Sequence, residues 1–127
     1  MEFLETNNLI GIAQKIKVRS LAVVQNLNDI KIYLDTRKNL EAQVESLKVE
    51  ISKAVYENTE LKNEKTREIA IKEAIVGSDK IQGLLLALKS LDSKINELEV
   101  KNLCEDIEIK FLKNLLRIAD ISVKVGI

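Results

Sequence analysis

The chain has no histidine. The commonest general base and the commonest metal ligand are therefore missing, and with them the Glu-x-x-His pairs of di-iron bundles. The single cysteine, Cys104, is the only thiol nucleophile on offer. It falls in an apolar-periodic stretch and reads as a small core residue, since free cysteine prefers burial. Carboxylates recur at helical spacing as Glu41 with Glu45, Glu64 with Glu68, and Glu105 with Glu108. Acid–base or metal chemistry would need such groups to converge from several helices. A chain with 31% charged residues places them on solvated helix faces without any such purpose. Gly77-Ser78-Asp79-Lys80 lacks the spacing of a phosphate loop. Tyr33 and Tyr56 are isolated and read as edge packing rather than as base-stacking platforms. No catalytic residue, cofactor site or metal site emerges, so the chain reads as a non-enzyme.

One charge pattern does suggest binding. Lys15, Lys17 and Arg19 lie near the start of the chain, and Lys110, Lys113, Arg117 and Lys124 near its end. An antiparallel arrangement of the first and last helices brings these seven cations together, with Asp120 the one nearby acid. The stretch from Asp92 to Glu108 holds six acids against Lys94 and Lys101. A chain of zero formal net charge would then have a basic end and an acidic waist. Oligomerisation would multiply the basic end into a cluster able to hold phosphates. The competing account is an ordinary solvated surface, with lysines favoured near a helix C-terminus.

The elements that would position these residues follow from composition. The chain has 127 residues, 46% of them hydrophobic, with no proline and four glycines. Aromatics are 3%, which disfavours a sheet-rich core. Mixed charges with abundant Leu, Ile, Lys, Glu and Asn belong to long helices and coiled coils. The length suits a single helical domain over 1–127. One cysteine excludes an intrachain disulfide and fits a reducing compartment. The N-terminal MEFLETNNLIGIAQ lacks the basic region of a secretory signal. The run from Leu84 to Leu88 is far too short to span a membrane. Cytoplasmic residence is expected.

Apolar periodicity predicts a first long helix over about 8–57, capped by Thr6, Asn7 and Asn8. Ala13, Ile16, Val23, Leu27, Ile30 and Leu34 form one seam. Leu40, Val44, Leu47, Ile51, Ala54 and Leu61 form another, three residues out of frame, with Arg37 between them. Such a shift overwinds a supercoil or redirects the apolar face. The segment is therefore either one helix of about 75 Å, at 1.5 Å per residue, or two helices broken near the shift. Asn63 caps a short helix over 64–76. Gly77 is expected to end it in the left-handed conformation, and Ser78 and Asp79 to cap the last helix over 79–123. There Ile81, Leu84, Leu88, Leu91, Ile95 and Leu98 alternate spacings of three and four, the seam of a helix packed lengthwise on another. The expected frame then moves to Cys104, Ile107, Phe111, Leu115, Ile118 and Ile121. Gly83, costly in a helix by about 1 kcal/mol relative to alanine, suggests a close backbone contact.

The fold class expected is all-α, a long antiparallel, coiled-coil-like helical hairpin with a short corner helix, oligomerising into a helical bundle. Leu85 and Leu86 lie beside the seam from Ile81 to Leu98 and widen the apolar face beyond what one partner covers, and with Leu84 and Leu88 they mark an oligomer interface. Ile109 and Leu116, with Leu85 and Leu86, are expected to stay exposed in a monomer.

The segment ENTELKNEKTREIAIKEAI, Glu57 to Ile75, resembles a pattern in small all-helical phage-encoded proteins. In these, a long helix is followed by an Asn-Glu-x-x-Arg turn, here Asn63, Glu64 and Arg67, and then by another long helix. More loosely, the layout is similar to the recombination mediator protein of T-even phages, an all-helical oligomer that helps load a recombinase onto single-stranded DNA. This chain differs from the mediator in being neutral and poor in aromatics. The resemblance implies an accessory factor in DNA recombination or single-stranded DNA handling, with single-stranded DNA or a recombinase as partner. The alternative is an adaptor or inhibitor that engages a host protein through a helical face, without nucleic acid. Either is a self-associating binding protein with no membrane and no cofactor.

Overall fold

The computed structural model describes residues 6–124, and the side-chain surroundings of 8–121. Every element among them is helical: α1, Thr6–Glu57; α2, Glu64–Val76; and α3, Asp79–Lys124. The fold is all-α. α1 is continuous through Arg37, so the break considered there does not occur. The helices form two compact units, one of Met1–Lys31 with Asn96–Ile127, the other of Ile32–Ile95.

In the first unit α1 and α3 run antiparallel. Arg19 meets Glu105, and further along α1 Asn26 meets the earlier residue Asn102. Its core holds Ile30, Ile109, Leu112 and Ala119. In the second unit Arg37 meets Asp92, and the ammonium of Lys94 lies over the ring of Tyr33 at 5.7 Å. These pairs are again antiparallel. Val44, Ile81, Leu91 and Ile95 are buried there, with Ile81 fully enclosed. Each such side chain contributes about 1.5–3 kcal/mol of burial.

Neither long helix changes frame. On α1 the residues turned inward are Leu9, Ile12, Ile16, Arg19, Val23, Asn26, Ile30, Tyr33, Arg37, Leu40, Val44, Leu47 and Ile51. Spacings of three and four alternate without interruption. On α3 the seam that begins at Ile81 continues past Leu98 through Asn102, Glu105, Ile109, Leu112, Leu116 and Ala119. The expected shift to Cys104, Ile107, Phe111, Ile118 and Ile121 is overturned, because all five are exposed. Likewise Ala13, Leu27 and Leu34 on α1 face outward. Ile109 is buried and Leu116 half-buried, against their expected exposure. The cause is that polar side chains occupy seam positions and find partners there. A purely apolar template skips them and jumps to the next apolar neighbour.

Gly77 also departs from expectation. Its φ is −80° and its ψ −5°, an ordinary right-handed conformation, with its N–H donating to Glu73 O at 2.9 Å. The junction is closed by side chains instead. Ser78 Oγ accepts from Ile81 N at 3.2 Å, and Gln82 Nε2 donates to the Ile75 carbonyl at 3.1 Å. Two helix ends are thus satisfied without a left-handed residue. A Cβ at Gly83 would meet nothing within 4 Å, so no close backbone approach accounts for that glycine.

Candidate functional site

The predicted basic residues are sorted into two groups. Lys15 and Arg19 of α1 line an open groove of about 830 Å³, whose other wall carries Glu105 and Glu108 of α3. Arg19 Nη1 lies 3.2 Å from both carboxylate oxygens of Glu105. Arg19 is therefore committed to an ion pair across the seam, one nitrogen shared between two oxygens, which compensates its charge locally. Ile12, Phe111 and Leu112 add apolar surface to the same groove. Lys17 is exposed on α1 and does not line it. Lys110, Lys113 and Arg117 are exposed on α3 and stand outside it too. Spaced by three and four, they form a line along one helix. Lys124 lies in the last turn of α3, with its side chain outside the described residues.

The Asn63-Glu64-x-x-Arg67 motif is built into the connection from α1 to α2. Asn63 caps α2, its side-chain oxygen accepting from Lys65 N at 2.8 Å, as a helix-capping residue should. Arg67 Nε donates to the Leu61 carbonyl at 2.8 Å, while the guanidinium sits 5.0 Å over the Tyr56 ring. Glu64 accepts a hydrogen bond from the Tyr56 hydroxyl and lies 3.7 Å from Arg67. The motif thus ties the loop to the last turn of α1. The hydrogen bond to Glu64, above all, holds the Tyr56 phenol above its ordinary value. Loss of solvent and the Glu64 charge act in the same sense, and Arg67 opposes them.

Of the four leucines assigned to an interface, Leu84 and Leu88 lie half-buried on the inner face of α3. Leu85 is 39% exposed and Leu86 69%. A longer unpartnered apolar stripe lies on the same helix further on, at Val100, Leu103, Ile107, Phe111, Ile118 and Ile121. Ile107, Phe111, Ile118 and Ile121 of this stripe belong to the row that periodicity alone assigns to the inner seam.

Polar contacts that apolar periodicity does not reveal form a ladder. Arg19, Asn26 and Tyr33 recur every seven residues on α1 and meet Glu105, Asn102 and Lys94. The signal was the sevenfold column Ile12, Arg19, Asn26, Tyr33, Leu40, Leu47, legible once polar members are admitted to a seam. Among the described residues no cluster of cysteine, aspartate and glutamate has the geometry of a metal site. No helix there is long and apolar enough to cross a membrane. No family model, curated protein or solved structure matches this chain.

Proposed function

We propose that this protein is a non-enzymatic, self-associating helical binding protein, folded as a long antiparallel hairpin and working through helix–helix contact. The observation that carries this reading is the two-sidedness of α3. Its inner seam is filled by α1 residues and by paired polar groups, yet its outer side keeps a row of large exposed apolar residues. A row of that kind is unfavourable in water and gains by being covered. Polar residues on the inner seam cost stability and specify register, as expected where correct assembly is the task. Light scattering at roughly tens of micromolar is expected to give a molar mass above the 14.3 kDa of one chain. A single-chain mass at that concentration rejects the reading.

A second reading, single-stranded DNA handling in a phage-type recombination pathway, is favoured by the line of Lys110, Lys113 and Arg117. Among the described residues these three have no ion-pair partner. Arg19 supports it least, since its charge is already engaged by Glu105.

A further inference from the structure

We propose that the outer face of α3 from Val100 to Ile121 packs against the same face of a second copy, with the two helices antiparallel. This rests on the self-association proposed above and names its surface and direction.

Spacing identifies the kind of occupant. Val100, Cys104, Ile107, Phe111, Asn114, Ile118 and Ile121 alternate steps of four and three, the repeat of a face that packs lengthwise on another helix. The six large apolar side chains of this face, counting Leu103 beside it, are each 44% to 67% exposed. Together they offer on the order of 600 Å² of apolar surface, the upper end for a monomer. Two such faces reach about 1,200 Å², the lower bound of a specific interface. The surface is therefore sufficient for a pair of identical helices.

Charge identifies the direction. From Glu97 to Glu108, α3 carries four acids besides Glu105, which faces Arg19 on the inner seam, against Lys101. The stretch that mirrors it about Ile109, Lys110 to Ile121, carries three bases against Asp120. Parallel helices would lay acid on acid and base on base. Antiparallel helices lay each acidic half against the other copy's basic half, and the arrangement is self-complementary about a twofold axis. Keeping the heptad layers matched sets the axis level with Ile109. Ile107 then meets Phe111 of the second copy, and Cys104 meets Asn114 of the second copy.

The test compares the wild-type chain with the double variant Ile107→Glu/Phe111→Glu by sedimentation equilibrium, with circular dichroism as the folding control. Both side chains are more than half exposed in the single chain, Phe111 at the rim of the groove beside α1, so helicity should be unchanged while the mass falls to that of one chain. An oligomeric wild type whose mass survives the double substitution overturns the outer-face pairing but leaves self-association standing. A monomeric wild type rejects self-association itself. Direction is read by oxidation, because a disulfide needs its Cβ atoms about 3.8 Å apart. The chain carrying Asn114→Cys beside native Cys104 should give a covalent dimer. The wild type should not, and neither should the chain with Asn114→Cys and Cys104→Ser. A disulfide through Cys104 alone establishes parallel pairing and overturns the proposal, as does the absence of any cross-link. Should the double Glu variant lose helicity, this oxidation experiment decides by itself.

Discussion

Tyr56 shows how much one exposed side chain can do at a connection. Its hydroxyl is held by Glu64, its ring by Arg67, and Arg67 also grips the Leu61 carbonyl. The raised phenol has a definite sign. A group whose pKa is higher in the folded chain contributes stability that is fully present below its unfolded value, about 10 for tyrosine. That contribution is lost as pH rises through the folded value. This contribution to the corner should therefore be lost in alkali. Ultraviolet titration of the Tyr33→Phe chain, in which Tyr56 is the one tyrosine left, should give a midpoint above that of a free phenol. Glu64→Ala should move the midpoint back down, because the leading cause is removed. A midpoint indifferent to Glu64 would mean that the hydrogen bond does not form in solution. The same contacts explain the residue types of the motif. Lysine in place of Arg67 keeps the charge but loses the planar group that spans ring and carbonyl.

The helices obtain their pairing register from polar seam residues rather than from apolar fit alone. Leucine and isoleucine pack acceptably in several registers one heptad apart, whereas an unpaired buried amide does not. Asn26 donates to Asn102 at 2.9 Å, and Asn102 reaches the Val23 carbonyl at 3.4 Å. Asn102 is 8% exposed, so losing its partner is costly. Asn26→Leu or Asn102→Leu alone should reduce stability by about 1–3 kcal/mol, the cost of leaving a buried amide unmet. The double substitution should recover most of that loss, because two apolar side chains then face one another. Denaturant unfolding of the four chains measures the coupling. Strictly additive losses would show that the two residues do not interact. Arg19 with Glu105 and Arg37 with Asp92 are more exposed. Each is worth at most about 1 kcal/mol, and their role is in alignment.

Over the whole molecule the charges cancel, so no long-range attraction to nucleic acid is built in. Any such binding must be local. Lys110, Lys113 and Arg117 are cations available in a line on one helix, and antiparallel pairing of α3 would set them against acids of the second copy. The two readings therefore compete for the same side chains. Fluorescence anisotropy with a single-stranded oligonucleotide at low salt separates them. If DNA handling is the task, affinity should fall with salt at a slope of about −0.7 per neutralised phosphate. Reversing Lys110, Lys113 and Arg117 to Glu should then abolish it, while Lys15→Glu should matter less beside Glu105 and Glu108. No binding by the wild-type chain would leave helix–helix contact as the surviving reading.

Composition and punctuation were enough to read the all-helical class. Asn63 and Ser78 mark where helices start through local hydrogen bonds that need no distant partner, and Asp79 is the acid in the first turn of α3. The absence of histidine bounds the chemistry in the same direct way. Which side of each long helix faces inward was not legible, because α3 carries two apolar heptad rows on opposite sides. Periodicity scores both alike and cannot tell Ile107 from Ile109. Tertiary contact decides between them: Arg19 with Glu105 and Asn26 with Asn102 are satisfied only if the row containing Ile109 turns inward. The same contacts divided the predicted basic cluster, since Arg19 is a seam residue with an acid opposite. A buried polar group is stabilised or penalised by what stands across from it. That partner lies 76 to 86 residues away in the chain, beyond the reach of any local pattern.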